Sequence, residues 1–200
     1  MLNRRFLPRR IWPAFPECRL RVAAATAVVV ALAVCRGAAQ SPGTSEFEVK
    51  AAYLYNFGRF VEWPASASGD ESFGICVLGL DPFGQILDTT LRGLAIDGKT
   101  VVARRLPTPQ DIDRCRIVFI SASEAPQLKE TLAALHKRGV LTVSDIPQFA
   151  QRGGAIQFVL AGSRVRFEIN LSVAQGAGLV VSSDLLKVAI AVRKNSDTGD

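Results

Sequence analysis

Phe73-Gly-Ile-Cys-Val-Leu-Gly-Leu-Asp-Pro-Phe-Gly-Gln-Ile-Leu-Asp-Thr-Thr-Leu91 reads as one strand feeding one helix. Phe73 to Leu80 is a compact apolar run closed by Asp81-Pro82, the pattern of a buried strand. Asp81 stands where a cap belongs, Pro82 suits a first helical position, and the helix is expected to run to about Leu91. The same alternation continues downstream. Ala95 to Arg105 reads as two strands joined by an Asp97-Gly98 turn. Arg116 to Ser121, with Ile-Val-Phe-Ile at its centre, is a second buried strand. Ser123 is expected to cap a helix through Leu128, Leu132 and Leu135 to about Arg138, with Gly139 as its stop. Val140 to Val143 is a further strand, and Pro147 to Gln151 a short helix. Ala155–Leu160 and Arg164–Ile169 form a hairpin across Ala161-Gly162-Ser163. A short helix near 170–176, an extended Leu179–Val181 and a final helix from Ser182 or Ser183 to about Arg193 complete the chain.

Upstream, Glu46 to Trp63 carries Phe47, Ala51, Leu54, Phe57 (or Gly58) and Val61 at helical spacing, one apolar stripe. Ser45 caps it, Glu46 and Glu48 suit the positive end of the helix dipole, and Pro64 ends it. Tyr53, Tyr55, Phe60 and Trp63 add aromatic groups on more than one side, either as core packing or as a partner surface. Strands alternating with helices predict an α/β fold: a single three-layer α/β/α domain with a mostly parallel sheet, and the late antiparallel hairpin as its edge.

The N-terminus has a different character. Residues 1–21 hold six arginines against Glu17, and Val22 to Val34 is an uninterrupted apolar run of thirteen. Small residues at Gly37 and Ala39 follow, which makes 1–39 a secretory signal peptide with cleavage expected after Ala39. Thirteen helical residues span roughly 20 Å, short of a hydrocarbon core of about 30 Å. Arg4-Arg5-Phe6-Leu7 comes near a twin-arginine signal, and Leu32-Ala-Val-Cys35 loosely resembles a lipoprotein signal, although bulky Val34 argues against lipidation. Residues 40–45 read as a flexible lead-in, 46–193 as the domain and 194–200 as a polar tail. The expected compartment is the periplasm.

Removing the leader changes the charge. Seven of the 24 Lys+Arg and one of the 18 Asp+Glu lie in residues 1–39, so 17 of each sign remain. A near-neutral mature chain has no nucleic-acid footprint. Cys18 and Cys35 leave with the leader. Cys76 and Cys115 remain and read as a structural disulfide worth roughly 3–4 kcal/mol, with two free buried thiols as the alternative.

Chemistry is sparse. His136, the sole histidine, sits beside Lys137 and Arg138 at a helix end and reads as solvent-facing. No metal site, no cofactor and no Gly-x-Ser-x-Gly are expected. Gly79-Leu-Asp-Pro-Phe-Gly84 occupies the place of a phosphate loop but lacks its Lys-Ser/Thr ending, and Asp81 would repel phosphate. Acid–base chemistry would have to come from scattered carboxylates such as Asp145 and Glu168. The densest polar pattern is Arg164-Val-Arg-Phe-Glu-Ile-Asn170. Strand alternation puts Arg164, Arg166, Glu168 and Asn170 on one face, either a solvated ion-pair row or a recognition surface.

Lys50-Ala-Ala-Tyr-Leu-Tyr-Asn-Phe57 with Phe60-Val-Glu-Trp-Pro64, and Val143-Ser-Asp-Ile-Pro147 with Phe149 and Gly153-Gly154, occur in order along the chain. They are followed by Arg164-Val-Arg-Phe-Glu-Ile-Asn-Leu171, Ala177-Gly-Leu179 and Ser182-Ser-Asp-Leu-Leu186. In these stretches, across roughly 46–193, the chain resembles the YfiR-like periplasmic proteins. The resemblance implies regulation without catalysis. The best-known member represses an inner-membrane diguanylate cyclase by binding its periplasmic sensory part, and an outer-membrane lipoprotein can sequester the repressor. Other membrane sensors serve as partners of related proteins, and a homodimer is compatible with such a role. The family pattern has cysteines at the positions of Cys76 and Cys115. Its second, later pair has no counterpart here, since no cysteine follows Cys115. The shared motif implies partner contacts for Arg166 and Glu168, with Arg164 and Asn170 completing the stripe.

Overall fold

A computed structural model describes residues 45–64, 71–136 and 138–194. The expected signal peptide with its cleavage site, all of the lead-in but Ser45, and all of the tail but Lys194 lie outside the described residues.

Helix α1, Glu46–Phe60, starts at a full capping box: Glu48 N–H donates to Ser45 Oγ (3.2 Å) and Ser45 N–H to Glu48 Oε2 (2.6 Å). It stops three residues before the expected end. Val61 is already extended, and Val61–Glu62 forms strand β1, antiparallel to β9, Val180–Val181. Pro64 disfavours helical backbone at Trp63, and β-branched Val61 favours an extended one.

The main sheet has eight strands: β2 (Ser72–Leu78), β3 (Ala95–Ile96), β4 (Lys99–Leu106), β5 (Ile117–Ile120), β6 (Leu141–Ser144), β7 (Ile156–Ala161), β8 (Arg164–Asn170) and β10 (Ala191–Arg193). Their order is β10-β8-β7-β6-β5-β2-β4-β3. Pairing is parallel from β4 through β2, β5 and β6 to β7, and antiparallel for the β3–β4 and β7–β8 hairpins. The Asp97-Gly98 turn takes positive φ at both residues (51° and 77°), as a two-residue hairpin of this hand requires. The expected α/β architecture is present. The late hairpin is not the edge, however, because β10 adds one more parallel strand outside β8.

Strands β2, β5 and β6 are buried along nearly their whole length because both faces are covered. On one face lie α1 and α2 (Gln85–Leu91) with the short C-terminal helices α4 (Leu171–Gly176) and α5 (Ser183–Val188). Phe57, Phe158 and Phe167 meet there with centroids 5.1 to 5.7 Å apart, and Tyr53 closes the group. On the other face lie α3 (Leu128–Leu135) and the Ile146–Phe149 segment, packed over the bonded pair Cys76–Cys115. These are the three expected layers.

At four further places the helices differ from expectation, and at the first two a capping side chain is used elsewhere. Asp81 accepts from Phe83 N–H and pairs with Arg105, so α2 starts only at Gln85. Ser123 Oγ accepts from Leu80 N–H across the sheet, and the chain from Ala122 to Gln127 is a 3₁₀ helix containing Pro126. Residues 147–153 are a turn, with Gln148 at φ 60°, rather than a helix. The last helix ends at Val188, and the chain returns to the sheet as β10.

Candidate functional site

Strand β8 carries the arginine motif, and its alternation is as expected up to its end. Val165, Phe167 and Ile169 are buried against the aromatic cluster, whereas Arg164 and Arg166 are exposed on the opposite face. Glu168 is half-buried and accepts from the Arg193 guanidinium (3.2 Å), which β10 brings alongside. Asn170 belongs to this face but is buried. Its amide donates to the Ala150 carbonyl (2.8 Å), and its oxygen caps α4 by accepting from Val173 N–H (3.1 Å). Three of the four motif residues therefore reach the surface, and the fourth holds the strand end in place.

Asn170 is part of a larger device. Gln157 accepts from Ala150 N–H (3.1 Å) and Thr142 from Ala155 N–H (3.0 Å), so side chains from three strands hold the 147–154 turn. Phe149 plugs that turn into the core. A Cβ at Gly154 would overlap the Phe149 ring, which explains a glycine there. Most of the second half of the family motifs thus builds one hydrogen-bonded unit at the Asn170 end of the strand that carries the exposed arginines.

A second cluster lies at the start of α1. Lys50 is 3% exposed, and its ammonium bridges Asp145 Oδ2 (2.6 Å) and Glu46 Oε1 (2.5 Å), 4.9 Å from the Phe47 centroid. Sequence reasoning passed over it, although Lys50 falls at the i+3 position after Phe47 on the buried stripe. A lysine there demands a counter-charge. Two shallow grooves adjoin this cluster. One of about 350 Å³ is lined by Lys50, Asp145 and Phe158, and one of about 430 Å³ by Val49, Tyr53, Arg164 and Arg166. They share Glu46 and Leu160.

In open α/β sheets, ligands usually bind outside the strand ends where the winding reverses, here between β2 and β5. That crevice is closed: Ser123 bonds Leu80 N–H, and Ser123 and Glu124 pack where a Cβ on Gly79 would fall. Nearby, Arg105 binds Asp88 at 2.7 and 2.9 Å, Asp81 at 2.8 Å and the Gly84 carbonyl at 2.6 Å. Hydrogen bonding from Arg105 lowers the Asp88 carboxyl below its ordinary range, and the same bond raises Arg105. His136 is exposed. Among the described residues no group of three or more His, Cys, Asp or Glu side chains could hold a metal ion. Among them, too, no helix is long and apolar enough to cross a membrane.

Comparisons with known proteins bear on these features. No curated protein matches the chain. Among solved structures it is similar to a conserved domain protein from Vibrio cholerae O1 biovar El Tor strain N16961. The TM-score is 0.53 and the identity 11%, over 74% of this chain and 60% of that one. This chain therefore spans about 60% of that protein's length, and the likeness concerns the fold alone. A weaker similarity is to the ABC domain in complex with L-Trp from Streptococcus pneumonia, with a TM-score of 0.46 and 14% identity over 60% of this chain and 55% of that one. The model of the YfiR/HmsC-like family matches residues 47–190, from the first turn of α1 to the residue before β10. The match takes in Lys50 and Asp145, the 147–154 turn and the Arg164–Asn170 strand together, and the chain belongs to the YfiR/HmsC-like family.

Proposed function

We propose that this protein is a periplasmic, non-catalytic regulator that binds and represses a membrane signalling protein, a diguanylate cyclase, and so lowers cyclic-di-GMP. The observation that carries the reading is the family match over 47–190, within which strand β8 leaves Arg164 and Arg166 exposed. Arg164, Arg166 and Glu168 are the contacts on this reading, with Asn170 setting the strand end that presents them. Charged groups so placed set specificity and encounter rate more than raw affinity. An outer-membrane lipoprotein that sequesters the regulator is the second partner.

The test is direct binding. The exported protein, purified from the periplasm, is titrated against the periplasmic part of each membrane diguanylate cyclase of its own cell. Saturable binding to one of them, weakened about tenfold or more by Arg166→Glu, is expected. Binding to none would remove the cyclase from the reading.

A second reading, a small-molecule-binding module, is favoured by the two grooves that meet at Glu46 and Leu160. A ligand held there would raise the melting temperature of the wild type by mass action and fail to do so for Glu46→Gln. A metabolite screen with no shift at millimolar ligand would end it.

A further inference from the structure

The main sheet ends differently at its two edges. At one, β3 is two residues long, and the Tyr55 hydroxyl reaches over it to donate to the Ala95 carbonyl (3.3 Å). At the other, no strand among the described residues pairs on the outer side of β10. Edge strands are usually blunted by proline, inward charge or a covering element. Here Val192 in β10 is 38% exposed, with Ile190 just before the strand and Val188 at the end of α5 at 46% and 58%.

The two sides of this edge have different chemistry. Val192 is in register with Ile169, on the apolar side of the sheet, and Arg193 with Asn170, on the other. That other side carries Arg193, Arg166 and Arg164 against a single carboxylate, Glu168, which Arg193 already engages. The edge therefore offers unpaired backbone, exposed apolar side chains at Val192 and just upstream of it, and surplus guanidinium charge on the other side.

We infer that β10 is a docking edge on which an extended segment of a partner protein, alternating apolar with acidic side chains, adds as a further strand. Strand addition draws affinity from main-chain hydrogen bonds and specificity from alternate side chains. Charge selects the occupant. A second copy docking edge to edge would set arginine rows against each other, whereas an acidic strand complements them. The inference rests on the regulatory reading only in making the partner a protein.

Amide shifts of the isotope-labelled, exported protein test it, with acetyl-Glu-Val-Glu-Thr-Glu-Val-Glu-amide as the probe and the peptide with Lys in place of Glu as its counterpart. Saturable shifts confined to residues 188–194 and β8 are expected, with the Lys peptide at least about tenfold weaker. The double variant Ile190→Ser/Val192→Ser, at exposed positions, is expected to bind about fivefold less with an unchanged fold. Arg166→Gln supplies a second weakened variant should that one unfold. Shifts elsewhere, equal binding of the two peptides or no saturable shift at millimolar peptide would overturn the inference. So would a dimer in sedimentation equilibrium that the double variant abolishes. If the cyclase binds while the edge stays silent, this inference alone fails. If the edge binds the acidic peptide and no cyclase is bound, the regulatory reading fails and the edge stands.

Discussion

Lys50 shows how much one residue can decide. Its ammonium is buried between Asp145 and Glu46, which ties the first turns of α1 to the end of β6. Lys50→Ala would leave two carboxylates without their counter-ion and a void beside Phe47. A loss of about 2–3 kcal/mol in urea unfolding is expected, short of a fully buried pair because both acids keep some water. Lys50→Met, which refills the volume, should cost less. Asp88 gives a prediction with a sign. Hydrogen bonding to Arg105 holds its folded-state pKa below the unfolded value. Its contribution is therefore complete above the unfolded carboxylate value, near 4, and lost as pH falls through the lowered one. Asp88→Asn should weaken the protein at pH 7 by under about 1 kcal/mol, since the pair is half-exposed, and flatten the acid side of its stability profile. Unfolding free energies measured across that range decide it; an unchanged acid limb would contradict the assignment. The polar stripe was legible at this scale because period-two alternation is local. The burial of Asn170 was not, because it depends on Ala150, twenty residues away in sequence.

At the level of elements, the buried strands were readable from unbroken apolar runs, and both hairpins from their turn residues. Helix ends were less so. Asp81 and Ser123 have the chemistry of caps, yet Asp81 divides its oxygens between Phe83 N–H and Arg105, and Leu80 N–H takes the Ser123 hydroxyl. Residues 147–151 look helical by composition but are held as a turn by Gln157 and Asn170, which no local window contains. Two substitutions test this unit. Asn170→Ala removes a helix cap and a buried hydrogen bond together, and about 2 kcal/mol of destabilisation is expected. Gly154→Ala drives a methyl into the Phe149 ring, and about 1–3 kcal/mol is expected from overpacking. Thermal unfolding of both variants checks this; wild-type melting temperatures would mean that the turn is not held as described. Arg166→Glu, exposed on the same strand, should leave stability within about 0.5 kcal/mol.

For the whole molecule, the disulfide joins β2 to the segment just before β5 across a separation of 39 residues, inside the core. Loop closure of that length contributes about 4 kcal/mol on the chain-entropy model. Cys76→Ser/Cys115→Ser should accordingly lower the urea midpoint sharply without changing the partner specificity of whatever fraction stays folded. The parallel sheet and its layers were visible as strand–helix alternation. The place of β10 outside β8 was not, because a three-residue strand at the end of a chain carries too little pattern to separate it from a continuing helix. The proposed regulatory role rests on the molecule as a unit: the export expected from its leader, the exposed arginines and family membership. Intracellular cyclic-di-GMP in a deletion strain tests it most directly, with the gene returned as wild type or as Arg166→Glu. A rise on deletion, reversed by wild type and not by the stably folded Arg166→Glu protein, is the predicted result. Unchanged cyclic-di-GMP on deletion would contradict the claim that the protein restrains a diguanylate cyclase.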